Sequence, residues 1–382
     1  MCCDASNHFS YNFKLNLNKL PTKRTDRITL RLLFPGLLAG IALIALGIYE
    51  LSQGRQPEND AAIRNLIHPW FNLTFFDFAV IALGLWIIIS LVLAYFTYKK
   101  IFYDGKKITM IYRNPWGQKK VVQEAIKKYK GIRFRIEFFQ FGFINKNKYI
   151  IELYHKDEEK IAPLYISTDS ANIRKIWQDY ALKLSLPEIM TTDEGVQERK
   201  VKDIGKSLIQ LHKDGVVKND FDIKEPLPES ISWVRKSDKS IIKNMKIRWD
   251  GIDILAAIGM GIVFLVFLTF MPQISNQPSG VALSVFLLGF MGVCIFKWLT
   301  KDKLVIKPHK VIIIHKTFSF SRKKDELFKD NIEAVDVAFN PASERYFLTI
   351  IGADKTLIFG KKMPVEDLRW VKKFLINDVI KK

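Results

Sequence analysis

The chain has 382 residues, a formal net charge of +20 and an ordinary 48% of hydrophobic residues. That length holds two or three modest domains, and three cysteines are too few for a disulfide framework. The charge directs attention to nucleic acid, anionic lipid or an acidic partner, or to the basic bias that orients membrane chains.

The first 31 residues read as a basic N-terminal tail, with Cys2 and Cys3 adjacent near its start. The first apolar run, Leu32 to Leu51, follows this long polar leader and has no small-residue cleavage site, which argues against a secretory signal. A second run lies at Phe75 to Tyr98, a third at Ile254 to Met271 and a fourth at Val281 to Leu299. Each approaches the roughly 20 residues that cross about 30 Å of hydrocarbon as a helix. The expectation is four transmembrane helices in two pairs, residues 32–98 and 252–299. Gly36 and Gly40, and Ala257 and Gly261, stand at the spacing that lets helices approach closely.

Loop charge sets the expected orientation. Residues 98–251 hold 32 Lys and Arg against 21 acids, and residues 297–382 hold 19 against 11. The loop between the third and fourth runs has no charge. By the positive-inside rule the protein is expected in the cytoplasmic (inner) membrane, multi-pass, with both termini cytoplasmic. No ionisable residue sits at the centre of a run, which argues against a proton-coupled transporter.

Behind each apolar pair the sequence repeats a pattern. IFYDGKKITMIYRNPWGQKK follows the second run and LVIKPHKVIIIHKTFSFSRKK the fourth, each a strand, a tight turn, a strand and a basic strand. YIIELYHKDEEKIAPLYI and YFLTIIGADKTLIFG then read as hairpins. A helix closes each half. Its apolar stripe is Ile173, Ile176, Trp177, Tyr180 and Leu184 in the first half, and Leu368, Val371, Leu375 and Val379 in the second. Asp169 or Ser170 is the expected cap of the first helix. Between the halves, residues 187–251 read as a charged connector with a short helix near Ile204 to His212 and two short strands within 230–249; its length suggests freedom between the halves or a partner.

Six or seven strands closed by one helix is the order of a pleckstrin-homology-like (PH-like) domain. On that order, and on the ends WQDYALKLSLPE and FGKKMPVEDLRWVKKFL, the chain resembles the bacterial PH-like multi-span membrane proteins. The resemblance implies PH-like β-sandwich or barrel domains at 99–186 and 300–382, tethered to the membrane as binding modules, and no activity. The spaced Lys/Arg signature of phosphoinositide-binding PH domains is missing from both halves.

One loop stands out, EFFQFGFINKNKY at 137–149. Phe139, Phe141 and Phe143, with Lys127, Lys128 and Lys130 nearby, are the candidate contact with membrane or partner, since anionic lipid attracts basic clusters. The alternative is that the phenylalanines pack within their own domain.

No HExxH, paired-Cys, GxxxxGK, GxGxxG or GxSxG pattern occurs, and no nucleophile stands beside a base. No cofactor or metal is expected. The scattered basic residues do not form one helix face, which disfavours nucleic acid. The reading is a non-catalytic, membrane-tethered scaffold or regulator with membrane lipids, some of them anionic, or a membrane protein as partner. The alternatives are a small transporter or transport-complex subunit and a membrane enzyme with an unrecognised site.

Overall fold

A computed structural model describes residues 12–28, 30–52, 73–141, 144–219, 221–222, 226–244, 261, 300–317, 320–340, 345–361 and 363–381. Two compact units emerge: the described residues up to Lys130 with Glu152–Ile166, and Gly131–Ile151 with the described residues from Ser167 onward.

The first unit opens with β1 (Phe13–Lys14), β2 (Thr22–Arg27), α1 (Leu30–Ser52), α2 (Leu73–Phe96), β3 (Tyr98–Tyr103), β4 (Lys107–Arg113) and β5 (Lys119–Ala125). Strand β6 (Gly131–Phe141) and most of β7 (Ile144–Tyr154) belong to the second unit, and the chain then returns through β8 (Ala162–Ser167). Strands β2 to β5 form an antiparallel meander in sequence order. Burial alternates residue by residue along β3 and β4, as the two-residue period of a half-buried strand requires. Ile101, Ile108 and Met110 fill the inner face. The short β1 pairs with β8, Phe13 opposite Ile166.

Helices α1 and α2 form an antiparallel pair in close contact. A Cβ on Gly84 would lie 2.7 Å from the carbonyl oxygen of Gly40, and one on Gly36 would lie 2.8 Å from Leu91. Only glycine allows backbones so near.

The second unit continues with α3 (Ile173–Leu184), β9 (Glu188–Thr192), β10 (Gly195–Arg199), α4 (Leu208–Lys213), β11 (Ile231–Lys236) and β12 (Lys239–Asn244). After the second pair of apolar runs come β13 (Thr300–Ile306), β14 (Lys310–Thr317), β15 (Phe320–Phe328), β16 (Ile332–Asn340), β17 (Arg345–Gly352), β18 (Thr356–Phe359) and α5 (Val365–Ile380). Strands β11 to β15 make one antiparallel sheet, and a second runs β6, β9, β16, β17, β18. All four stripe residues of α5 are buried, joining Leu304, Ile313, Ile332, Val337 and Leu348 in one core. A ring cluster of Trp233, Trp370 and Phe374 extends it, with centroids 5.3–6.3 Å apart.

The repeat is visible in element order. In each half a strand precedes the apolar pair, three strands follow it, a single 3₁₀ turn (Ile126–Lys128 or Lys329–Asn331) intervenes, and three strands and a helix close the half. The strand entering the pair hydrogen-bonds to the strand leaving it, β2 with β3 and β12 with β13. Each pair of apolar runs is therefore an insertion between neighbouring strands.

The connector is built into the sheets and is not a free linker. Strand β9 lies parallel to β6 (Ile132 opposite Glu188) and antiparallel to β16 (Ala338 opposite Thr192), so it bridges strands from the two halves. The short helix and paired strands expected there are α4, β11 and β12. The helix cap differs: Asn172, in the left-handed region, precedes α3, while the Asp169 carboxylate accepts from the Ala171 N–H one turn earlier.

The expected fold class, four transmembrane helices in two pairs, is corrected. The transmembrane description and the placement as a multi-pass protein of the cytoplasmic membrane fall with it. Among the described residues no helix is long and apolar enough to cross a membrane, and the architecture is dominated by three β-sheets. The first two runs are α1 and α2, bound tightly to each other; the third and fourth, apart from Gly261, lie outside the described residues. A run of about 20 apolar residues nominates a span and does not establish one, because run length carries no tertiary information.

Candidate functional site

The residues nominated by sequence occupy separate places. Lys127 and Lys128 lie in the 3₁₀ turn after β5 and, like Lys130, are exposed. Lys128 is engaged internally, its ammonium 3.1 Å from Glu124. Glu124 also accepts from Lys160 at 2.8 Å, and these two charged donors, Lys160 first, hold its carboxyl down at about 2. Phe139 and Phe141 fall in β6, with side chains outside the described set, and Phe143 lies outside the described residues. The neighbouring Phe138 is packed: its ring meets Phe347 at 4.7 Å, and Lys361 Nζ sits 4.0 Å from its centroid. The lysines belong to the first unit, Phe139 and Phe141 to the second.

A different surface of the first unit has the features of a contact site. The outer faces of α1 and α2 expose large apolar side chains, among them Phe34, Leu38, Ile41, Phe78, Trp86 and Ile89. Large apolar side chains exposed together on two paired helices mark contact with a partner or with lipid.

The base of the helix pair carries aromatic and basic groups together. The strand register places them: Arg27 is opposite Tyr98, Tyr98 opposite Arg113, and Arg113 opposite Lys119. The end of the sheet from which α1 departs and to which α2 returns is therefore also the end bearing the β4–β5 turn. The Arg27 guanidinium lies 3.6 Å from the Tyr95 centroid and its Nε donates to the Tyr95 carbonyl at 2.9 Å. Arg113 stands 5.9 Å from the rings of both Phe96 and Tyr98. The turn tip holds Trp116, 78% exposed.

That turn is rigid. The Asn114 amide donates to Gln118 Oε1 and its Oδ1 accepts from the Gln118 N–H, both at 2.9 Å. Gly117 supplies the positive φ of +85°. An exposed tryptophan on a stiff turn is presented at little entropic cost.

This collar escaped the sequence reading because its members lie far apart in the chain and meet only through strand pairing. The NPWGQ turn was the available signal, since a tryptophan at a hairpin tip has no sheet face to enter.

Among the described residues no group of three or more His, Cys, Asp and Glu side chains is placed to hold a metal ion. Two histidines serve local structure: His155 Nδ1 accepts from the Asp157 N–H at 3.0 Å, and His212 Nδ1 lies 2.8 Å from the Val217 carbonyl.

No family model matches the chain, and no curated protein or solved structure matches it.

Proposed function

We propose that the protein is a non-catalytic binding protein whose first unit seats on an anionic lipid surface through the outer face of α1 and α2 and the collar at their base. The observation that carries the reading is the coincidence of that exposed apolar face with Trp116, Tyr95, Arg27 and Arg113 at one end of it. Aromatic rings with a polar edge favour the headgroup level, and arginine and lysine there draw anionic headgroups. The proposal asks for contact with lipid.

The test is co-sedimentation of the full-length chain with vesicles of neutral phosphatidylcholine alone or mixed with phosphatidylserine. The expected result is stronger binding to the mixed vesicles. Lys119→Glu, which places an acid where a base stood beside the turn, changes the charge by two units and should lower binding by roughly thirtyfold, at about 1 kcal/mol for each unit. Equal binding to both vesicle types, or failure to bind either, refutes the proposal.

A further inference from the structure

The outer face of the sheet β2–β5 carries one sign of charge. Residues paired across strands share a face. The register therefore sets Arg27, Tyr98, Arg113 and Lys119 in one row at the collar end, Lys100 in the next row, and Lys23 beside Phe102 in the third. Successive rows lie about 7 Å apart, two residues along each strand. Lys107 shares this face one step further along β4. These four strands contain two acids, Asp26 and Glu124, and both turn to the inner face, 0% and 6% exposed. Asp104, in the β3–β4 turn, has a carboxylate oxygen taken by the Lys106 and Lys107 N–H groups at 2.8 and 2.7 Å.

The cations of this face make no ion pair among the described residues. Lys100 stands close enough to Lys23 to hydrogen-bond to it and repel it, and so lowers its pKa. Two rings lie among the cations. Tyr98 and Phe102 stand on β3, an interior strand, and both are half-buried. Rings sunk in a sheet surface cannot reach into a bilayer, but they offer a surface to a flat group laid on the sheet. Lys23 is opposite Phe102, and Arg27 and Arg113 flank Tyr98.

Flat groups joined by regularly spaced negative charges describe a single strand of nucleic acid, whose bases stack on rings while its phosphates follow a basic track. An acidic peptide meets the lysines and leaves the rings unused. A duplex keeps its bases stacked on one another and offers the rings nothing. We propose that the outer face of β2–β5 binds single-stranded nucleic acid, with bases on Tyr98 and Phe102 and phosphates along Lys23, Lys100 and the basic row at the collar end. The proposal goes beyond the lipid reading. Arg27, Arg113 and Lys119 belong to both surfaces, whereas Lys23, Lys100 and Phe102 belong to the sheet face alone and carry the test.

Fluorescence anisotropy of a short labelled oligouridylate, titrated with the full-length chain, provides that test. Log affinity should fall linearly with log salt concentration. Lys23→Ala combined with Lys100→Ala should weaken binding about tenfold or more. Phe102→Leu, which keeps an apolar side chain and removes the ring, should weaken it about fivefold or more, and should leave vesicle co-sedimentation unchanged. The lysine variant removes two mutually repelling cations, so it keeps the test decisive if Phe102→Leu impairs folding. No oligouridylate binding, binding untouched by the lysine variant, displacement by polyglutamate as effective as by unlabelled oligouridylate, or equal affinity for a duplex of the same length overturns the proposal.

Discussion

Replacing Arg174 by methionine tests whether the second unit depends on its buried charge cluster. Arg174 is 2% exposed and holds two carboxylates at 2.7 and 2.8 Å, Glu333 and Glu188, themselves nearly buried. Methionine fills much of the volume and leaves both acids without their main counter-charge. Breaking a buried ion pair by removing one partner costs about 3–5 kcal/mol. At about 1.4 kcal/mol per tenfold, local opening should accelerate by roughly two to four decades. Hydrogen exchange of the full-length chain, followed on segments covering α3, β9 and β16, measures it. The loss should shrink as pH falls. Burial already raises the Glu188 carboxyl, against the opposing pull of Arg174. Without Arg174 that rise is larger, the folded state binds protons more readily than the unfolded one, and lowering pH through the raised value restores stability. Adding Glu188→Gln and Glu333→Gln to Arg174→Met should recover most of the loss. An exchange rate within tenfold of the parent for Arg174→Met, or no recovery in the triple variant, refutes the reasoning.

Gly84→Leu should loosen the α1–α2 pair by about 1–3 kcal/mol, the usual cost of overpacking, because a Cβ there already lies 2.7 Å from the Gly40 carbonyl; faster exchange of α1 amides reads it out. Trp116→Ala should leave thermal unfolding unchanged, the side chain being exposed, while weakening vesicle co-sedimentation several-fold; a lowered melting temperature refutes its placement. Glu124, held at about 2 by Lys160 and Lys128, contributes stability that is present above its usual value near 4.5 and lost as pH falls toward 2. Glu124→Gln should therefore flatten the acid limb of the stability profile of the first unit, and an unchanged limb counts against the pairing.

The strands and closing helices were readable from sequence because their signals are local. Alternation along β3 and β4 and the 3.6-residue stripe of α5 each arise within one element, and the stripe residues Leu368, Val371, Leu375 and Val379 are all buried. The repeat was equally legible, since it is a matter of order. The collar at the base of α1 and α2 was not, because Arg27, Arg113 and Lys119 are brought to one end of the sheet only by strand pairing. The apolar runs misled because the sequence counts apolar residues without saying what they pack against.

By itself the sequence determined a twofold repeat of strands and a helix, a basic surface, and the places where apolar segments interrupt the sheets. Only the tertiary structure decided that β9 of the connector bridges strands from the two halves, that Arg174 meets Glu333 at 159 residues' separation, and that Arg27, Tyr95 and Trp116 share one end of a sheet. The physical reason is common to all three. Periodicity records which face of an element is buried, whereas strand register and ion pairing depend on partners far away in the chain, and no local pattern names them.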